Sequence, residues 1–548
     1  MKRYIYIFIL TLLTSACAEK ISSPSEHVDY GSEREDYVTR LDDGMMVLGE
    51  KLNNPYSLSN MQAAYDELCK TKSLSSEKLE ATDLYVRFLP KDSTDIAFLQ
   101  NLDLEFFDFP LDYEIEEYGN YYHDPSVPEG EITWQYTKVK PDFVFPDIQY
   151  EIIDECYIPE EDEELTKSSI CGGDFAEELE MLAIKMADLP AEYSVSEDYI
   201  ETKAKVKKYP SGSVLIYKED NDSIPAKGVK IRCHYFLKWD SDFTDDEGNY
   251  NISKKFSCNP TYAIILDNVK GFKVWGNWGF LAAANHNVGR QNKSGYNFEI
   301  YNNSQAWKWL VINNAAYDYY RMCETDGIKK PPTDLKIWCW KNATSSSAPM
   351  LHHLVGLNVT AFAVPFAAML LTGPVVVAAS TLSWFLMAAL PDVTIGTYRD
   401  TNKYNTTDIY ESIYSVVWHE LTHASHFAQV GESMWGRYIN YIVTHCNNGV
   451  YGDGTAETKG RDICELGESW ANAFEQYSSY MKFGTYTYDS SIWFKSNIDA
   501  LFNLMLYNIF TPKEIYLCLT NEVKSMGDLK QKLLEKYEDR SELIEAYL

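Results

Sequence analysis

Residues His419-Glu420-Leu421-Thr422-His423 fall in a stretch that reads as one helix. Histidines four apart lie on one helical face, a turn from each other. Both imidazoles can then reach one tetrahedral metal ion. Glu420, directly after the first histidine, is placed to polarise a water held by that metal. Hydrolysis by such a centre needs three protein ligands and a fourth position open to water.

This spacing is the H-E-x-x-H zinc hydrolase signature. The third ligand must come from elsewhere in the chain. His426 lies seven residues past His419, roughly 10 Å along a helix rising ~1.5 Å per residue. That is too far for a metal about 2 Å from the first two imidazoles. The run from Cys464 to Glu475 reads as a second helix, with Trp470, Phe474 and Tyr477 on neighbouring turns, and it offers Glu468 and Glu465.

With that second helix the chain resembles the gluzincins, zinc metallopeptidases whose third ligand is a glutamate on a later helix. The resemblance implies Zn²⁺ held by His419, His423 and Glu468, with Glu420 as general base. Glu465 is the competing ligand, with Ser469 as its partner. Many gluzincins carry an aspartate four residues after the ligand glutamate, orienting a ligand histidine. Asn472 stands there instead; it can accept an imidazole N–H bond but brings no charge. A donor for the developing oxyanion is also needed. Tyr438, Tyr441, His445 and Tyr451 lie between the ligands, and Tyr451 is preferred because Gly449, Gly452 and Gly454 surround it.

The elements that must position these groups follow from periodicity. Asp408 to Gln429 reads as an amphipathic helix anchored by Ile409, Ile413, Val416, Val417, Leu421 and Phe427. Asp408 and Glu411 resemble a capping box, and Gly431 follows the helix. Val393 to Tyr398 reads as a strand just before it, a candidate edge for pairing with an extended substrate, with Trp338 to Trp340 competing. Between Lys341 and Asp392 no residue is charged. Leu354 to Leu390 is almost wholly apolar, broken by Pro365 and Gly373-Pro374. It reads as a buried helical hairpin, with a membrane-dipping hairpin as the alternative. His352 and His353 precede it; as adjacent residues they face apart in regular structure and are not taken as ligands.

The chain's 548 residues suggest about two to four domains. A formal charge of −32 without a basic stripe argues against a nucleic-acid partner. Lys2 and Arg3 precede an apolar core from Tyr4 to Leu13, too short for a stable membrane span. Thr14-Ser15-Ala16-Cys17 resembles a bacterial lipobox. The resemblance implies cleavage before Cys17, lipidation of its thiol and attachment to the cell envelope, at the outer membrane or cell surface. Ten cysteines follow Cys17, and an exported chain permits disulfides. Short-range pairs are Cys156–Cys171, Cys233–Cys258, Cys323–Cys339 and Cys446–Cys464.

The expected architecture is multidomain α+β. Residues 1–17 are a signal peptide and lipobox, and 18–37 a tether. Residues 38–155 form a small α+β module, followed by an acidic linker and helix at 156–204. Residues 205–275 read as short strands with turns; Asp245-Asp246-Glu247-Gly248-Asn249-Tyr250 resembles the turn of a transthyretin-like or carboxypeptidase-regulatory β-sandwich. That resemblance implies a β-sandwich spacer or binding module. Residues 276–548 complete the chain as a mainly helical zincin-like domain. The expectation is a zinc peptidase acting on peptides or glycoproteins. The alternative is a lipid-anchored peptide- or glycan-binding protein that keeps the fold without turnover.

Overall fold

The computed structural model describes residues 45–128, 131–159, 174–194, 209–219, 222–276, 283–302, 304–339, 346–354, 391–397, 399, 403–445, 451, 460–486 and 492–548. The signal segment with Cys17, the tether, the acidic run at 160–164 and the apolar stretch 355–390 lie outside the described residues. Among the described residues no helix is long and apolar enough to cross a membrane.

Helix and sheet are mixed, with the sheets concentrated in the first two thirds and helices dominating the C-terminal region. Near the N-terminus, strand Asp83–Leu89 is central to a three-stranded antiparallel sheet with Gln135–Val139 and Gln149–Cys156. Its alternation buries Tyr85 on one face and Val86 and Phe88 on the other. Phe107 adds a single bridge to Tyr136 at the side of this sheet. Helices Leu58–Thr71 and Asp174–Met186 pack together on this unit.

Two further sheets follow. One is built on Ser211–Glu219, flanked by Asn249–Asn251 and, in parallel, Phe298–Ile300. The turn into Asn249–Asn251 is made as its residues dictate. The Asp245 carboxylate accepts the amides of Glu247 and Asn249, and Gly248 takes φ +79°. The strand stops at Asn251, and beyond it the Asp240 carboxylate accepts the amides of Ser253 and Lys254.

The larger sheet runs in the order Val393–Thr394, Leu335–Trp338, Phe272–Trp275, Thr261–Asn268, Val229–Tyr235, Lys238–Phe243, with Asn285–Arg290 also paired to Thr261–Asn268. This sheet draws strands from both sides of 275/276. Phe272–Trp275 pairs in parallel with Leu335–Trp338, some sixty residues later, and that strand pairs in parallel with Val393–Thr394. Parallel partners need long crossovers, so local pattern does not reveal them.

The cysteine expectation also fails where it is described. Cys233, Cys258, Cys323 and Cys339 are buried free thiols, as is Cys156, and Cys464 is buried. They fill core positions as small apolar side chains. Cys171 and Cys446 lie outside the described residues.

Candidate metal centre

Three helices build the centre. The motif helix, Thr406–Val430, starts two residues earlier than the sequence suggests. Asn405 is its N-cap, and Asn405 and Asp408 form the capping box that was expected at Asp408 and Glu411. Gly431 ends it at φ +80°, its amide bonded to the Phe427 carbonyl. The helix is sheathed: residues 419 through 427 are all buried. Tyr319 of helix Gln305–Asp326 donates to Ser425 Oγ at 2.9 Å, and Trp418 Nε1 donates to the Ala315 carbonyl.

The ligand helix, Arg461–Phe483, lies alongside. Ser415 meets Ser479 at 2.6 Å between hydroxyls, His419 meets Glu475, and His423 meets Glu468. As numbers rise on one helix they fall on the other, so the two are antiparallel. Trp418 stacks on Phe474 at an interplanar angle of 11° within this seam. The third helix, Glu432–His445, brings Trp435 and Tyr438 against the His423 ring.

At the crossing, three donor atoms converge. His419 Nε2 and His423 Nε2 are 3.1 Å apart, and each is 3.5 Å from Glu468 Oε2. A tetrahedral zinc ion with donors at about 2.0–2.1 Å would separate them by about 3.3–3.4 Å. The observed triangle therefore fits one face of such a tetrahedron. Glu468 is wholly buried, and Oε2 has no hydrogen-bond partner among the described residues. A buried, unbonded carboxylate oxygen facing two imidazole nitrogens calls for a cation.

Two of the three donors, His419 and Glu468, are held by their other atom. Glu475 Oε2 accepts the Nδ1 proton of His419 at 3.0 Å, which leaves the Nε2 lone pair facing the centre. Tyr438 donates its hydroxyl to Glu468 Oε1, which turns Oε2 inward. Burial alone would raise the Glu468 pKa; the flanking imidazoles outweigh it and hold the carboxyl well below its ordinary range. Burial lowers the His423 pKa despite the charge of Glu468, favouring the neutral imidazole that metals bind.

The other sequence candidates are placed as follows. Glu420 is fully buried on the motif helix. Glu465 points elsewhere and accepts from Asn497 Nδ2 at 2.6 Å. Asn472, expected to steady a histidine, instead donates to the Glu468 backbone carbonyl one turn back, at 2.8 Å. The carboxylate on the histidine is Glu475, seven residues past Glu468 and so two turns along the same face. His426 stays outside the three-residue cluster, its ring 5.9 Å from Trp435. Tyr451 packs on Phe494, and its carbonyl accepts from Tyr441 and Trp493. The tyrosine joined to a ligand is Tyr438, not Tyr451. Ser469 is buried, and the His445 side chain and Cys17 lie outside the described residues.

Val393–Thr394 does form the edge of the large sheet and packs against the motif helix. Its outer side is already used: Ser347 and Thr394 exchange both main-chain hydrogen bonds, at 3.1 and 2.8 Å. Trp338 lies on the inner neighbour, leaving neither stretch as an open edge at Thr394.

No family model matches the chain, and no curated protein matches it with significance.

Proposed function

We propose that the chain is a zinc-dependent peptidase of the gluzincin type, held at the bacterial cell envelope by a lipid on Cys17. The observation that carries this reading is the buried triangle of His419, His423 and Glu468, with Glu420 directly following the first ligand. The helices from Gln305 onward would form the zincin-like region, and the sandwich-like sheets before it the transthyretin-like module.

His419 and His423 through Nε2, and Glu468 through Oε2, would hold the zinc ion. When bound, zinc supplies Lewis acidity for a carbonyl and lowers the pKa of a coordinated water. Glu475 keeps the Nδ1 proton on His419 and so fixes the tautomer. Tyr438 fixes the rotamer of Glu468. Glu420 accepts the proton of the attacking water at a carboxylate oxygen and delivers it to the leaving amine nitrogen. The enclosing Trp435 and Tyr438 exclude bulk solvent and strengthen each charge interaction.

The substrate class is a peptide or glycoprotein. The test is paired: zinc content by mass spectrometry and cleavage of a broad peptide library by the mature chain. One zinc per chain with cleavage that chelation abolishes supports the reading. Zinc and peptide binding without turnover would replace it with a binding protein.

A further inference from the structure

A second cluster lies away from the first, at His352, His353 and Asp392. Sequence spacing set these histidines aside because neighbours in regular structure diverge. They sit instead in a short 3₁₀ turn, Leu351–His353, entered through Met350 at φ +55°. There the two rings lie edge to face, 4.8 Å apart, and both present Nδ1 to one carboxylate. His353 Nδ1 is 2.8 Å from Asp392 Oδ1, and His352 Nδ1 is 3.5 Å from Oδ2.

We infer that His352, His353 and Asp392 form a second, structural site for a divalent transition metal of the zinc class.

Three observations carry it. First, His353 Nε2 lies 3.1 Å from the Thr333 carbonyl and so bears a proton; with the ring neutral, Nδ1 would turn its lone pair toward Asp392 Oδ1. A lone pair facing a carboxylate needs a cation between them, either a second proton or a metal. An imidazole donating its far N–H to a backbone carbonyl is the usual outer support of a metal-binding histidine. Second, a proton on His353 leaves His352 unexplained. Its Nδ1 is buried and has no hydrogen-bond partner among the described residues, although Asp392 Oδ2 is near. One metal ion would satisfy both nitrogens and the carboxylate. Third, Asp392 is built as a fixed ligand. It is fully buried, Oδ2 accepts the Lys336 amide at 3.0 Å, and its own amide donates to the Lys336 carbonyl.

The position gives the site a purpose. The chain passes out of the described residues after Leu354 and re-enters at Pro391. Met350 and Leu351 donate their amides to the carbonyls of Asp392 and Pro391. A metal on His352, His353 and Asp392 would rivet the two ends of this long excursion. Tying together residues that are far apart in sequence removes entropy from the unfolded chain. His353 also lies 6.4 Å from Phe427, on the motif helix four residues after His423, so the rivet would brace that helix.

The test is metal stoichiometry on the full mature chain, stripped with chelator, reloaded with Zn²⁺ and desalted. The account predicts about two zinc ions per chain in wild type and about one in the double variant His352→Asn/His353→Asn. His419→Ala/His423→Ala should also keep one, and zinc should still raise its melting temperature. Adding the His352 and His353 changes should abolish that rise. Both histidine side chains are partly exposed, at 29% and 23%, so their replacement should be tolerated by the fold. Equal zinc content in wild type and His352→Asn/His353→Asn, with none in His419→Ala/His423→Ala, overturns the second site and leaves the first standing. Zinc lost only from His352→Asn/His353→Asn upholds the second site and removes the metal from the peptidase reading.

Discussion

Glu475 accepts the Nδ1 proton of His419 at 3.0 Å, across the seam of two antiparallel helices. This one contact fixes which nitrogen of the imidazole is left to bind metal. Glu475→Gln should therefore weaken zinc affinity about 10- to 100-fold, the usual effect of losing such a partner. Asn472→Ala should have a much smaller effect, because its amide serves only the Glu468 carbonyl. Competition with a chromogenic chelator measures both; equal losses would mean that the contact does not tune the ligand.

The third ligand can be tested with a neighbouring carboxylate as control. Glu468→Gln should remove most zinc binding, whereas Glu465→Gln should leave it nearly intact, since Glu465 is engaged with Asn497. Tyr438→Phe should fall between them, since it frees Glu468 Oε1 without removing the ligand. The reverse order of Glu468 and Glu465 would displace the centre from the ligand helix.

Acid sensitivity has a specific source. Burial, with the charge of His423 adding to it, pushes the His426 pKa down from 6.5 to about 3. Between those values the unfolded chain binds a proton that the folded chain refuses. Stability is thus fully present above pH 6.5 and is lost as pH falls toward 3, at up to about 1.4 kcal/mol per pH unit. Lowered His423 acts in the same direction. Thermal melts of chelator-treated protein from pH 7 to 5 should show a shallower slope for His426→Asn than for wild type. Identical slopes would show that His426 is not buried neutral.

How much of this was legible in the sequence depended on range. The His419–His423 pair was legible because four residues on a helix are a local geometry. Glu468 could be chosen over Glu465 only by resemblance. The choice of Asn472 missed because a histidine's partner depends on the register between two helices, which neither helix encodes alone. A carboxylate two turns from Glu468 on the same face was the available signal for Glu475. Likewise the strands at 205–275 were readable one by one from alternation and turns. Their continuation into Leu335–Trp338 and Val393–Thr394 was not, because parallel pairing joins distant segments. His352 and His353 were dismissed on regular geometry, and a positive φ at Met350 with a 3₁₀ turn is what brings them together.

Attachment to the envelope is separable from chemistry. Cys17→Ser should move the chain from the membrane fraction to the soluble one, with peptide cleavage retained. Retention of Cys17→Ser protein on membranes would shift the anchor to another part of the chain, with residues 355–390 the first to test by deletion.

The most direct test of the central claim is Glu420→Gln, measured for zinc and for peptide hydrolysis on the same preparation. The substitution keeps size and leaves His419, His423 and Glu468 in place, so zinc content and melting temperature should be nearly unchanged. Hydrolysis should fall by about 10²-fold or more, as expected when general acid–base assistance is lost. Unaltered turnover in zinc-replete Glu420→Gln protein would contradict the account, because the measured activity would then belong to another site.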